Sequence, residues 1–322
     1  MREIAEELIT NNVTNVKENK VMKNELYRKL NYIKKNYQLY VFFLLPPLLL
    51  LIIFKYVPMG GVLIAFEDYS PIQGVLGSQW VGLKHFQRFI QSPDFMNLLM
   101  NTLKLSVYGL LWGFPVPIIL ALLLARVKSE RIRKKIQLVM YAPNFISVIV
   151  ITGMIILFLS PVGPVNKMLG TSINFMTMPS TFRTIYIASG IWQGAGWASI
   201  IYTAALANAS NELTEAAIID GANIFQQILN VDLPAIKPIM VIQFILSAGN
   251  IMSIGFEKAF AMQNALNLPT SEILATYVYK IGLQQGDYSF STAVGLFNSV
   301  INIILLLVVN GVVKKLNEGE GI

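Results

Sequence analysis

Six long apolar runs constrain this chain more than any other feature of its sequence. A helix needs about 20 consecutive, mainly apolar residues to cross the hydrocarbon core of a bilayer. Runs that reach or approach this length lie at residues 39–56, 96–124, 138–159, 185–207, 236–254 and 291–313. With 54% hydrophobic and only 13% charged residues, the chain carries more apolar surface than a soluble core can bury. The sequence therefore predicts an all-α polytopic membrane protein with six transmembrane helices.

Lysine and arginine are concentrated in alternate connections between these runs. Eight of them precede the first run and six lie between the second and third runs, whereas the connections on the opposite side share only six. Because cytoplasmic loops are enriched in these residues, both termini are predicted to lie in the cytoplasm. The predicted parts are a cytoplasmic tail at 1–38, a transmembrane domain at 39–316 and a C-terminal tail at 317–322. Within the domain, 57–95 is predicted to be external and 208–235 cytoplasmic.

The polar connection between the fourth and fifth runs has the features of a short surface helix. Asn211 and Thr214 are residue types that cap helix N-termini. Gly221 predicts a left-handed turn into a second short helix over 222–229. Pro234 is predicted to end that second helix before the fifth run begins.

The same connection has the features of a contact site for another protein. Ala216 and Ala217 have small side chains that allow a partner to approach closely, and Glu215 and Asp220 supply charges that can fix its register. The spacing resembles the EAA motif of bacterial ABC-importer permeases: Glu-Ala-Ala, three residues, Gly, nine residues, Ile, one residue, Leu-Pro. The matching positions are Glu215, Ala216, Ala217, Gly221, Leu233 and Pro234, with Val231 in place of Ile as the only departure.

The resemblance extends over roughly residues 40 to 316. The stretches 61–71, 78–86, 276–285 and 289–297 are similar to the branch of carbohydrate importer permeases that handles polysaccharides and oligosaccharides. The resemblance implies a type I importer permease fold in a bacterial cell membrane. It also implies a second permease subunit, two cytosolic ATPase subunits, an external solute-binding protein and an oligosaccharide substrate. Glu215, Ala216, Ala217, Asp220, Gly221, Leu233 and Pro234 are then the predicted ATPase-coupling residues.

The sequence indicates a transport subunit rather than an enzyme. It contains no Gly-x4-Gly-Lys-Ser/Thr phosphate loop, so ATP and Mg are expected in the partner ATPase and no cofactor is expected in this chain. Without cysteine, and with His85 as its single histidine, it offers no multi-histidine or thiolate metal site. His85 is predicted to be an exposed loop residue. The basic residues lie beside the apolar runs, which indicates membrane orientation and lipid contact rather than nucleic-acid binding.

Polar residues inside the apolar runs predict where a hydrophilic solute passes. Such residues are costly in lipid and tend to face a cavity or another helix. Gln193 and Trp197 in the fourth run, and Ser247, Asn250 and Ser253 at helical spacing in the fifth, are the predicted pathway residues. Helix packing and interfacial anchoring are the competing interpretations for the fourth run. Asn298 and Asn302 in the sixth run fit a cavity or a clasp on a neighbouring helix equally well.

Two alternatives remain beside the importer interpretation. A stand-alone secondary sugar carrier or channel would be expected to show internal repeats or an ionisable relay inside its spans. An intramembrane enzyme would require a catalytic constellation that the sequence does not show. The long connection at 57–94 predicts either a docking surface for an external partner or an aromatic belt at the membrane interface formed by Trp80, Phe86 and Phe89.

Overall fold

A computed structural model describes residues 27–28, 31–32, 34–208, 211–252 and 254–316. Its contacts divide the chain into two units, residues 1–62 and 63–322. The described part of the first unit is helical, with α1 (Tyr37–Leu51), a π-helical turn (Ile52–Tyr56) and α2 (Val57–Met59). Pro46 and Pro47 both lie inside α1. The irregular turn lies one turn later, where the Val57 amide donates to the carbonyl of Ile52, five residues earlier.

The described part of the second unit is mainly helical and contains two strands of two residues each. Strands β1 (Glu67–Asp68) and β2 (Gln79–Trp80) pair antiparallel. In chain order the helices are α3 (Gly74–Gly77), α4 (Lys84–Ile90), α5 (Phe95–Gly113), α6 (Pro115–Ala125), α7 (Glu130–Tyr141), α8 (Val148–Phe158), α9 (Pro164–Leu169), α10 (Pro179–Ala207), α11 (Asn211–Ile219), α12 (Ile224–Gln227), α13 (Leu233–Gly249), α14 (Phe256–Met262), α15 (Leu268–Ser271), α16 (Leu274–Tyr279) and α17 (Tyr288–Leu316). Short 3-10 turns lie at Gly60–Phe66, Ala142–Phe145 and Phe175–Thr177, and π-helical turns at Ile228–Asp232 and Lys280–Gln284.

Four helical stretches in the described part of the chain are long and apolar enough to cross a membrane: Tyr37–Phe66, Phe95–Ala125, Ile224–Gly249 and Tyr288–Lys315. A bent helix pair, Glu130–Phe145 with Val148–Phe158, passes the same test as a fifth candidate. Helix α10 has 29 residues, about 43 Å at the usual rise per residue, but its glycine and polar content leaves it less apolar. The predicted helical class is therefore confirmed, and the count of six spans stays a prediction.

The sequence indicated a single span over the third apolar run. The structure instead breaks this part of the chain into two helical arms. Helices α7 and α8 meet at an angle of 97°. Pro143 lies in the 3-10 turn that ends the first arm, and Ser147 caps the second by accepting a hydrogen bond from the Val150 amide at 3.3 Å. The Gln193 amide donates to the Ile146 carbonyl at 3.2 Å, so α10 provides a hydrogen bond at the break. Pro143 and the Ser147 cap therefore break the helix although the run is continuously apolar.

Helix α10 approaches the first arm of this broken pair very closely. A Cβ atom added at Gly196 would overlap the carbonyl group of Met140, whereas one added at Gly194 would meet nothing within 4 Å. Beside this contact the rings of Phe145 and Trp197 pack edge to face, with centroids 5.6 Å apart. Only a residue without a side chain permits the backbone-to-backbone contact at position 196.

A buried apolar cluster joins α6, α10 and α13. Its fully buried members are Ile118, Ala121, Leu122, Tyr202 and Ile236, and Phe114, Ile228 and Leu233 are among the side chains packed against it. Ile228, just before α13, and Leu233, at its start, pack on the same cluster as the side chains of α6.

The segment after the first span folds back on the second unit's own core. His85, expected to be exposed, is 4% exposed in α4, and its Nε2 lies 3.1 Å from both the Glu67 carbonyl and Asp68 Oδ1. Lys84 donates to Asp68 at 2.6 Å and holds the pKa of that carboxyl below its usual value. Phe89 is 1% exposed and packs in the core, so its part in an interfacial belt is wrong, while Trp80 is 61% exposed. Local polarity did not reveal that α4 has a buried face.

Candidate functional site

A cavity of about 800 Å³ lies between α5, α6, α10 and α13. Its size falls in the range of roughly 300–1,000 Å³ that ligand sites occupy. The polar and aromatic side chains that line it are Ser106, Phe114, Tyr186, Trp197, Tyr202, Gln243, Ser247 and Asn250. None of the lining residues is charged. Ring faces beside hydroxyl and amide groups suit a solute that is rich in hydroxyls, because one side of a sugar ring stacks on an aromatic ring and its edge forms hydrogen bonds.

The structure brings three of the five predicted pathway residues to this cavity. Trp197 from α10 and Ser247 and Asn250 from α13 and its C-terminal end line it. Gln193 does not, because its amide donates at the break between α7 and α8. Ser253 lies outside the described residues. The structure places these three side chains at the cavity. That they contact substrate stays a prediction.

Four polar residues of the cavity lining did not emerge from the sequence reasoning. Gln243 precedes Ser247 by four residues, so extending the polar stripe one turn towards the N-terminus would have found it. Ser106 is 7% exposed, and its hydroxyl has no hydrogen-bond partner in the part of the chain that the structure describes. Tyr186 and Tyr202 had no signal of their own, since tyrosine is common in membrane helices.

Asn302 clasps a neighbouring helix rather than lining this cavity. Its Nδ2 donates to the Gly249 carbonyl at 2.7 Å, and its Oδ1 accepts from the Met252 amide at 3.2 Å. These bonds connect α17 to the C-terminal end of α13. The clasp interpretation of Asn302 is therefore confirmed. The Oδ1 atom of Asn298 is buried without a hydrogen-bond partner among the described residues.

Lys258 lies behind the cavity wall without an acidic partner among the described residues. It is 8% exposed, donates to the Tyr186 carbonyl at 2.8 Å and sits 4.8 Å from the centre of the Tyr186 ring. Burial lowers its pKa from 10.5 to about 8. Because the folded protein holds fewer protons than the unfolded chain between these two values, the free energy of unfolding rises as pH increases through that window. Near pH 7 both states are protonated and the full burial penalty applies.

We expect Lys258→Met to stabilise the protein near pH 7. Removing the buried charge should raise the free energy of unfolding by about 2 kcal/mol, after allowance for the lost contacts with Tyr186. Thermal unfolding in detergent at about pH 7 and about pH 9.5 measures this. The wild type should gain stability between the two values and the variant should not. An unchanged unfolding temperature at both values would contradict the burial argument.

The polar connection after α10 forms the turn that its sequence predicted. Gly221 has φ +78°. The Gly221 amide donates to the Ile218 carbonyl at 3.0 Å and the Ala222 amide donates to the Ala217 carbonyl at 2.9 Å. These two bonds are those of a Schellman motif, which ends a helix at a left-handed residue. The left-handed turn at Gly221 is thus confirmed.

The surface of this connection combines negative charge with uncovered apolar side chains. Glu215, Ala216 and Asp220 are exposed, and neither carboxylate forms an ion pair with another described residue. The apolar side chains beside them are also exposed: Leu213 at 61%, Ile218 at 58%, Ile219 at 85% and Phe225 at 77%. Uncovered apolar groups rimmed by charge are typical of a protein-binding surface. We call residues 211–227 the coupling segment, after the role that the sequence predicts for this connection.

The second helix starts at Ile224, two residues later than predicted, and does not end at Pro234. Asn223 caps it in a reciprocal arrangement with Gln226. The helix then continues through the π-helical turn at Ile228–Asp232 into α13, where Leu233 donates to the carbonyl of Ile228. The wider turn changes the bonding register just before Pro234, which lacks an amide hydrogen. The predicted stop at Pro234 is wrong, and a helix from Ile224 to Gly249 joins the coupling segment to the cavity.

Comparison with known proteins identifies the family of the chain. Residues 113–318 match the model of the family described as "Binding-protein-dependent transport system inner membrane component". The chain is 43% identical over 295 residues to Protein LplB of Bacillus subtilis, covering 90% of this chain and 92% of the relative. It is 44% identical over 301 residues to the polygalacturonan/rhamnogalacturonan transport system permease protein YteP of the same organism, covering 92% and 94%.

A solved structure shows a similar fold. A chain in the crystal structure of a bacterial alginate ABC transporter, in complex with an alginate pentasaccharide-bound periplasmic protein, matches with a TM-score of 0.82 and 37% identity. The match covers 91% of this chain and 99% of that chain. The predicted importer permease fold is therefore confirmed.

Proposed function

We propose that this chain, which belongs to the family of binding-protein-dependent transport system inner membrane components, is the permease subunit of an ATP-driven importer of oligosaccharides. It is a multi-pass protein of the bacterial cell membrane. In the proposed complex it forms half of the translocation path, and its coupling segment receives the movement of a cytosolic ATPase. The termini and the coupling segment then face the cytoplasm, as the distribution of basic residues predicts.

A single structural connection carries this proposal. Ile228 and Leu233, which follow the coupling segment directly, pack on the same buried cluster as Phe114 and Tyr202, which line the cavity. Force applied to the coupling segment therefore reaches the cavity walls through close-packed side chains. The predicted coupling residues Glu215, Ala216, Asp220 and Gly221 lie on the exposed side, where a partner can contact them.

The proposed partners follow from the same arrangement. The ATPase binds ATP and Mg and supplies the hydrolysis. A second permease subunit completes the path, and an external solute-binding protein delivers the substrate. An oligosaccharide fits the uncharged cavity lined by aromatic, hydroxyl and amide groups. The printed names of relatives support this substrate class, since they include transport permeases for polygalacturonan/rhamnogalacturonan and for arabinooligosaccharides.

A stand-alone sugar carrier or channel is the second candidate. It accounts for the cavity, but it gives no reason for exposed isoleucine and phenylalanine side chains beside two carboxylates on the coupling segment. An importer subunit does give one, because an ATPase would cover these side chains.

Reconstitution separates the two candidates. The chain is placed in proteoliposomes with its second permease, ATPase and binding protein, and uptake of a panel of labelled oligogalacturonides and arabino-oligosaccharides is measured together with ATP hydrolysis. The control is the chain alone. We expect uptake only with the complete set and with ATP. Uptake by the chain alone, or no uptake of any glycan by the complete set, would contradict the proposal.

A further inference from the structure

Arg126 occupies the point where the cavity-lining helices meet the coupling segment. It follows Ala125 and caps the C-terminal end of α6, a helix whose Pro117 lines the cavity. Its guanidinium contacts two side chains more than 100 residues later in the chain. One terminal nitrogen donates to Gln227 Oε1 at 2.9 Å and the other pairs with Asp232 Oδ2. These bonds join α6 to both ends of the turn that connects α12 to α13.

This cluster contains one of two ion pairs in the described part of the chain whose side chains are both largely shielded from water; the other is Lys280–Glu272, with side chains 25% and 22% exposed. Gln227 is 7% exposed and Asp232 is 8% exposed. The Arg126 side chain is 24% exposed, whereas the basic side chains of the pairs at Lys84, Arg88 and Arg133 are 58%, 57% and 37% exposed. Exposed pairs contribute little to structure because water competes with them. A pair that is largely removed from water has a defined geometry and is costly to break from one side.

A second hydrogen bond extends the cluster to the coupling segment. Gln227 receives the Arg126 bond on its amide oxygen, and its amide nitrogen donates to the Ala222 carbonyl at 2.8 Å. Ala222 is the residue whose own amide closes the Schellman motif after Gly221. Arg126, Gln227 and Ala222 thus form a continuous polar connection from the end of α6 to the turn at the end of α11.

Apolar packing alone does not fix the direction of this connection. Ile228, Leu233 and Ile236 pack in the buried cluster with α6, and contacts of this kind tolerate sliding because they are non-directional. Paired hydrogen bonds from one planar guanidinium to two fixed acceptors set both position and angle.

We propose that Arg126 is a positioning residue for transport coupling, which makes α6 follow the displacement of the coupling segment. This inference rests on the proposed function. It assigns Arg126 no contact with substrate or ATP. Loss of the Arg126 side chain should therefore leave ATP hydrolysis active, while less solute is transported for each ATP hydrolysed.

The test is Arg126→Gln in the complete reconstituted importer, with sugar uptake and ATP hydrolysis measured on the same vesicles. We expect uptake per ATP hydrolysed to fall about fivefold or more, the lower end of typical coupling effects between sites. Arg126→Lys keeps one charge contact but not the planar pair of donors. Its uptake per ATP hydrolysed should lie between the values of the wild type and Arg126→Gln. The matched control is Arg133→Gln, which removes an exposed pair with Glu130 and should keep the wild-type ratio.

Two further variants decide between coupling and simple stability. Gln227→Met keeps the Arg126–Asp232 pair and removes the hydrogen bonds of Gln227 to Arg126 and to Ala222, so it too should lower uptake per ATP hydrolysed. It decides the matter if Arg126→Gln fails to assemble. The double variant Arg126→Asp/Asp232→Arg exchanges the two charges. It should recover part of the uptake per ATP hydrolysed that Arg126→Asp alone loses. If uptake and hydrolysis fall in proportion in Arg126→Gln and in Gln227→Met, or if neither changes, the inference is overturned. No uptake by the wild-type complex would instead overturn the proposed function.

Discussion

Replacing Gly196 with alanine will destabilise this protein strongly, while the same replacement at Gly194 will not. A Cβ at position 196 overlaps the Met140 carbonyl group, which belongs to backbone and cannot rotate away. Helix α10 must then separate from α7, with an expected cost of about 1–3 kcal/mol or more. At position 194 the Cβ meets nothing within 4 Å, and alanine should add up to about 1 kcal/mol through its higher helix propensity.

The two variants form a matched pair because they differ only in position along one helix. Thermal unfolding in detergent provides the measurement, with Gly196→Ala expected below the wild type and Gly194→Ala at or above it. Uptake in the reconstituted complex should fall with Gly196→Ala, since Trp197 beside the contact lines the cavity. Equal unfolding temperatures for the two variants would show that α7 and α10 are not in backbone contact at this point.

Replacing Gly221 with valine should uncouple ATP hydrolysis from uptake. The turn requires φ near +78°, and a Cβ at this position meets nothing within 4 Å, so the cost is conformational rather than a clash. A left-handed backbone costs an ordinary residue about 1–2 kcal/mol, and a β-branched residue is the least tolerant. Valine therefore shifts the chain out of the Schellman motif and turns α11 away from its direction. A shift of this size corresponds to about tenfold in an equilibrium, and we expect a loss of uptake of about that size.

Asparagine at the same position is the control. Its short polar side chain adopts the left-handed conformation far more readily than valine does, so Gly221→Asn should retain most of the uptake. Both variants should be inserted in the membrane in wild-type amounts, which immunoblotting of membrane fractions measures. Wild-type uptake by Gly221→Val, or equal losses in both variants, would count against this role of the turn.

Local sequence rules were sufficient where one residue decides the backbone. Gly221 was predicted to be left-handed because glycine after a short helix has few other roles, and the Schellman bonds follow from that. The helical class followed from the length of the apolar runs. Ser247 and Asn250 share a helix face by their spacing alone, and that face lines the cavity.

Local rules failed where distant residues supply the missing hydrogen bonds. Pro234 was expected to end a helix, yet a π-helical turn carries the helix past it. The break at Ile146 receives a hydrogen bond from Gln193, 47 residues away, so the sequence of the third run could not show that a break is tolerated. His85 is buried because α4 packs on residues that the chain brings together only in three dimensions. These outcomes depend on tertiary contacts, which periodicity does not encode.

The exposed apolar side chains of the coupling segment affect copies of the subunit that have no ATPase bound. Ile219 and Phe225 lie largely uncovered in the single chain, and in the proposed orientation they face the cytosol until an ATPase arrives. A surplus copy therefore presents the kind of surface that chaperones and proteases bind and that favours aggregation. In the proposed transporter, the surface that contacts the ATPase would therefore also mark surplus copies for removal, and the number of permeases would stay matched to the number of ATPases.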